Sequence, residues 1–377
     1  MSKSYTPGLK VLNQTKIYKD RILPMKGEVH TDIGEEVLHD KIVASTQIPG
    51  NVHMINLSNE LNIDPDQVES CMIFLIGDLV HKNQIIAQSK GLFGIFKSEV
   101  KSPVDGFVTN ISNITGQVII SEKPKPVQID SYIPGKVVDV YKKEGVRIQG
   151  QGSLIQGIIG VGGEKRGELV VLVDSIDEKV EEDQIDETLK NKIIVCGSYL
   201  DFKLYVKAQS VGVKGVICGG FDYNDLSKIL GYPLGVAITG TENLTTLIIT
   251  EGFGDIPIAK RTFDLLIDNI NKNVCINGAT QIRAGVLRPE IIIPNNKFAE
   301  KNNEIEDFDD DQLIISLDSF VRVIREPYFG MIGKIVSLPS ELSVVESGTK
   351  VRVAEVEFLD KSKEIIPRAN LEVILSN

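Results

Sequence analysis

The stretch Lys101–Ile120, KSPVDGFVTNISNITGQVII, sets the grammar of the front of the chain. A Ser-Pro step opens it. Asp105-Gly106 is a hairpin signal, because glycine reaches positive φ at no steric cost. Phe107–Ile111 then reads as a short strand. Thr115-Gly116-Gln117 turns the chain, and Val118-Ile119-Ile120 reads as the next strand. Short β-runs with glycine turns recur through the front of the chain, so residues 21–170 are expected to form a β-domain behind an extended polar arm, residues 1–20.

Within that region, Asp64 and Pro65 mark a helical turn, as a capping acid and a proline at the first helical position. Gly77-Asp78-Leu79-Val80 followed by Gln84–Ala87 gives the compact phrase GDxVxxxQxIA. The turn PGxV occurs at Pro49–Val52 and again at Pro134–Val137, which suggests two related halves of one β-structure. On Gly77-Asp78, Val80, Ile86-Ala87, Ser102-Pro103, Gly106, Val108 and Ile111, the region resembles the barrel-sandwich hybrid fold of lipoyl and biotinyl carrier domains. It resembles still more the related domain found in the Rnf electron-transport complex. The carrier chemistry does not come with the resemblance. Ile95 stands where the modified lysine of a carrier would align, and Met25-Lys26 lies beside Pro24 rather than in a central hairpin. No covalent cofactor, and no cofactor of any other kind, is expected.

At 377 residues the chain has room for two or three domains with their own cores. No apolar run approaches the roughly 20 residues that cross a bilayer. The start, MSKSYTPGLKVLNQTK, has no apolar signal core, so a cytoplasmic location is expected. Net charge is −11, which argues against coating nucleic acid by bulk charge. The cysteines Cys71, Cys196, Cys218 and Cys275 form no CxxC pair and read as buried, reduced thiols. His30, His39, His53 and His81 match no ligand spacing, so no metal site is expected.

Gly157, Gly160, Gly162, Gly163 and Gly167 mark the hinge of the chain. Glu164 follows Gly163 where a phosphate loop would need Lys, so the segment reads as close-packed turns. An acidic, partly helical connector over residues 171–192 is expected to be solvated. From Ile193 the pattern becomes α/β. Strands at 192–196, 213–218, 235–238 and 247–249 alternate with helices at 202–211, 222–230 and 257–269. This predicts a largely parallel sheet in a domain spanning 193–296. Each strand ends in a glycine loop. Two readings stand: the glycines turn the chain, or they let a ligand approach at the carboxyl ends of the strands. The second would involve Gly219, Gly220, Gly240, Glu251, Gly252, Gly254 and Arg283, with Arg288 nearby. The domain has no histidine, and no catalytic constellation is readable.

Residues 297–316, rich in Asp and Glu, predict a mobile linker. The last module, residues 317–377, shows strand, turn and further strands. Its marks are Val321, Val323, Ile324, Pro327, Phe329-Gly330, Gly333, Ile335-Val336, Val351–Val353 and Pro367, Asn370, Leu371, Glu372. On these residues it resembles a KOW module, the SH3-like barrel of NusG-type elongation factors and some ribosomal proteins. That resemblance implies contact with RNA, the ribosome or RNA polymerase. Arg322, Arg325, Tyr328 and Lys334 are the expected contact residues, with Tyr328 outward and Phe329 in the core. Charges across the module nearly balance, so a protein-docking barrel stands beside an RNA-binding one.

The chain is thus expected to be multidomain α+β: a β barrel-sandwich hybrid, a central α/β domain and a C-terminal SH3-like β-barrel. The leading functional expectation is a non-enzymatic adaptor of transcription or ribosomal machinery, without membrane insertion. The alternative is a ligand-binding or redox-complex accessory protein using the front domain and the glycine-lined cleft.

Overall fold

The computed structural model describes residues 9–89, 98–232, 237–238, 244–281, 287–295, 315–323, 327–328, 331–344, 348–358 and 361–373. The fold is mostly β, in several sheets. No helix among the described residues is long and apolar enough to cross a membrane. The acidic linker expected at 297–316 falls almost wholly outside the described residues.

One sheet of eleven strands forms the body. It runs across the boundaries expected at 170 and 193. Its middle is Lys165–Val171, which pairs in parallel with Ile193–Val195 on one side. On the other side it pairs antiparallel with Asn273–Asn277. Ile193–Val195 continues in parallel to Gly215–Phe221, and that strand to Thr246–Phe253. In the other direction Asn273–Asn277 leads through Glu290–Pro294 to Gly145–Gln156. The long strand Val11–Ile22, expected to be an arm in part, pairs along that last strand from Val11↔Ile155 to Ile22↔Gly145.

The helices follow their caps. Asp201 accepts the Leu204 amide proton (2.8 Å) at the start of Phe202–Val211, and Gly212 ends that helix in the left-handed region. Asp222 accepts the Asn224 and Asp225 amides (2.7 and 3.0 Å) at the start of Tyr223–Leu230. The third helix, Lys260–Ile267, starts three residues after Pro257 rather than at it. The acidic connector is not simply solvated. Val180, Ile185 and Leu189 drop between its acids into the large core of the sheet. Burying three such side chains contributes several kcal/mol, at roughly 25 cal/mol per Å².

Residues 52–121 form a separate unit with its own core, including Leu57, Val80, Ile86, Val108, Val118 and Ile120. A four-stranded sheet (Val52–Asn56, Gln117–Ser121, Gly106–Ser112, Leu79–Val80) and the pair Ile85–Gln88 with Glu99–Lys101 enclose it. The last module is a six-stranded sheet around Val321, Ile335, Ala354, Val356, Phe358 and Leu371.

Candidate functional site

The carboxyl ends of the parallel strands are covered by the chain itself. Gly220 lies so close to residue 254 that a Cβ there would sit 1.8 Å from the Gly254 carbonyl oxygen. A Cβ on Gly219 would sit 2.0 Å from that of Ile256. The covering segment is stitched down. Gly254 N–H donates to Phe221 O (3.0 Å), Ile256 N–H to Ser198 O (3.3 Å), and Ser198 Oγ lies 2.8 Å from Asp255 Oδ1. Gly219 and Gly220 therefore serve close packing, and the space beside them is taken by the backbone of residues 254–256. Gly252 pairs opposite Gly220 inside the sheet. Gly254 has open space around its Cα, but it belongs to the covering segment. Gly240 and Arg283 lie outside the described residues.

Glu251 has a different role. Its side chain is 7% exposed, and Oε1 accepts the Ala259 amide proton at 3.0 Å. Its other oxygen takes an ion pair from Arg322 Nη1, a residue of the last module. Arg322 Nη2 donates to Glu372 Oε2 at 2.9 Å. Arg288 Nη2 stands 3.6 Å from Glu372 Oε1, and Arg288 Nη1 donates to Ile158 O at 3.3 Å. Two guanidinium groups and two carboxylates thus form one buried lattice that fastens the C-terminal sheet to the body. Burial opposes the charge on Arg322, yet Glu251 and Glu372 hold its pKa above the ordinary value. The Nε atoms of Arg288 and Arg322 are buried and have no hydrogen-bond partner among the described residues. A cleft of about 270 Å³ opens beside Arg322 and Glu251, walled by Leu9, Val11, Pro257 and Ile332.

Arg322 was expected to meet a partner; it is instead consumed internally, with 11% of its side chain exposed. Tyr328 is also turned inward. Its ring packs on Phe358, centroids 5.7 Å apart, against the module core. The ring fills space beside the core of the six-stranded sheet. Lys334 remains at the surface, 2.8 Å from Asp318. Arg325 and Phe329 lie outside the described residues.

The feature that sequence reasoning missed is Phe320. It is 42% exposed and sits directly opposite Lys334 in the antiparallel register. Lys334 in turn faces Glu357, and Glu357 faces Lys363. Strand alternation carries this signal: Phe320 and Arg322 share a face, while Val321 and Val323 point into the core.

All four cysteines are buried and unbridged. Burial pushes the thiols of Cys196 and Cys218 up, and that of Cys275 up to about 12. Cys275 Sγ donates to Tyr132 O at 3.2 Å. Set against known families and curated proteins, the chain matches no family model and no curated sequence. Geometry therefore carries the functional reading.

Proposed function

We propose that the chain is a non-enzymatic adaptor of a nucleic-acid-associated machine, transcriptional or ribosomal, docked through the outer face of its C-terminal barrel. In this reading residues 317–377 form a KOW-like, SH3-like barrel, residues 52–121 the core of a barrel-sandwich hybrid, and the parallel strands with their helices a central α/β unit. The enclosed two-layer core of residues 52–121 supports the second assignment.

The observation that carries the docking surface is the split face of the last sheet. In one row, Arg322 and Glu372 are spent on the joint to the body, and Ile332 lines the cleft beside it. The next row runs Phe320, Lys334, Glu357 and Lys363, with Ile365 67% exposed beside it. An exposed aromatic ring beside the ammonium of Lys334 is a usable anchor for a partner. Because the joint is fixed by the buried lattice, that anchor is held in one orientation. Lys334 is paired with Asp318 and Lys363 with Glu357, so the face carries little net positive charge. This favours a protein partner over a phosphate backbone.

The test is affinity purification from the native cell with mass spectrometry, for the wild type and for Phe320→Ala/Lys334→Ala. The double variant should melt like wild type and lose the components of the machine, and nuclease treatment should leave wild-type capture intact. Retention of every partner by the variant overturns the docking surface. Loss of wild-type capture on nuclease treatment overturns the protein-partner reading.

A further inference from the structure

A second cleft, of about 560 Å³, lies at the opposite end of the parallel strands from the covered one. Ligand pockets typically measure about 300 to 1,000 Å³, so this one has room for a small organic molecule. It opens where Lys165–Val171 is parallel to one neighbour and antiparallel to the other. Asn191 and Lys214, just before Ile193–Val195 and Gly215–Phe221, form one wall. Arg166, Asn273 and Cys275 form the facing wall, and Leu38, Pro134, Val274 and Pro294 supply apolar surface.

The charges in the cleft are asymmetric. Arg166 Nη1 donates to His39 O at 2.7 Å and Nη2 to Asp130 Oδ2 at 2.5 Å, which fixes the guanidinium and leaves further N–H groups unspent. The one lining carboxylate, Glu168, is taken by Lys192 Nζ at 3.2 Å. Lys214 is half-buried, and among the described residues its ammonium has no ion pair or hydrogen bond. The side-chain amides of Asn191 and Asn273 likewise have no protein partner among the described residues. A chain of net charge −11 therefore keeps an unspent ammonium, a fixed guanidinium and two free amides around one open space. Donors left unused in a cleft with apolar walls suit a ligand that supplies acceptors and negative charge.

We propose that this cleft binds a small organic anion, a carboxylate or phosphate head on a compact apolar body. Lys214 and Arg166 receive the head, Asn191 and Asn273 donate to it, and the leucine and proline surfaces hold the body. The site is distinct from the docking face, since its described lining residues all lie outside the C-terminal module.

The test uses the full chain at low salt with three probes sharing one ring: benzoate, phenyl phosphate and benzylamine. Calorimetric titration and the shift of the thermal midpoint are read together. Benzoate or phenyl phosphate should bind saturably and benzylamine should not; the preferred anion identifies the head. Lys214→Gln should weaken binding about tenfold, and Asn273→Asp, which adds an opposing charge at an exposed position, by at least as much. Both variants should melt like wild type without ligand; should Lys214→Gln unfold, Asn273→Asp alone decides. Lys363→Gln, on the docking face, should bind like wild type. The proposal is overturned if neither anion saturates by roughly 10 mM, if benzylamine binds equally, or if a folded Asn273→Asp binds as wild type does.

Discussion

Replacing Arg322 by methionine removes the centre of the buried lattice while keeping an unbranched apolar stem. Glu251 then keeps only the Ala259 amide, and Glu372 keeps only Arg288 at 3.6 Å. Both carboxylates are almost wholly buried, with side chains 7% and 2% exposed, so solvent relieves little of the loss. Removing one partner of a buried ion pair costs about 3 to 5 kcal/mol, chiefly as the penalty on the charge left behind. The expected loss for Arg322→Met is therefore about 4 kcal/mol, most of it in attachment of the C-terminal sheet. Glu251→Gln in the same chain restores charge balance, since Arg288 and Glu372 still pair. The double variant should recover about 2 kcal/mol of the loss. Urea unfolding gives the free energies, and hydrogen exchange at residues 320–323 and 371–373 reports whether the C-terminal sheet has detached. A cost below about 1 kcal/mol, or a double variant no better than the single, would refute the claim that these charges fasten the two parts.

Two further outcomes follow from the body of the fold. Gly220→Ala pushes a methyl group against the Gly254 carbonyl in a segment held by its own hydrogen bonds, and should cost about 3 kcal/mol. Gly254→Ala, with open space but φ of +105°, should cost only about 1 kcal/mol in backbone strain; equal melting points for the two would show that the covering segment is loose. The thiols of Cys196, Cys218 and Cys275 are raised by burial from a reference of 9.0, so the unfolded chain releases their protons first as pH rises. Stability is then fully present below about pH 9 and falls above it by about 1.4 kcal/mol per pH unit for each thiol. Thermal melting from about pH 8 to about pH 10.5 should show the decline, and Cys275→Ala should make it shallower.

Local signals are the legible ones. Asp201 and Asp222 announce their helices, because a capping carboxylate acts on amides two or three residues away. The cysteines are readable as buried from the apolar runs around them. Pairings distant in sequence are not legible. Nothing in Val11–Ile22 indicates that its partner lies at 145–156, so a central strand reads partly as an arm. Glycines 219 and 220 look equally suited to a ligand or to a close backbone, and only the fold of residues 254–258 decides between them. The same limit governs Glu251 and Arg322. Each stands out for its chemistry, but their encounter depends on how two regions meet. Alternation misplaces Tyr328 because it is counted through a turn, where it does not hold.

The position of Gly145–Gln156 in the large sheet sets the timetable of synthesis. One edge of this strand takes Val11–Ile22 along its length; the other is shared by Gly135–Tyr141 and Glu290–Pro294. Val11–Ile22 must therefore wait for a partner made more than a hundred residues later, a delay on the order of ten seconds at roughly 5–20 residues per second. Residues 52–121, whose strands pair among themselves, can close during that interval. The final pairing must await 290–294, so a nascent chain halted before that point displays an open strand edge and depends on chaperones to keep it from joining another.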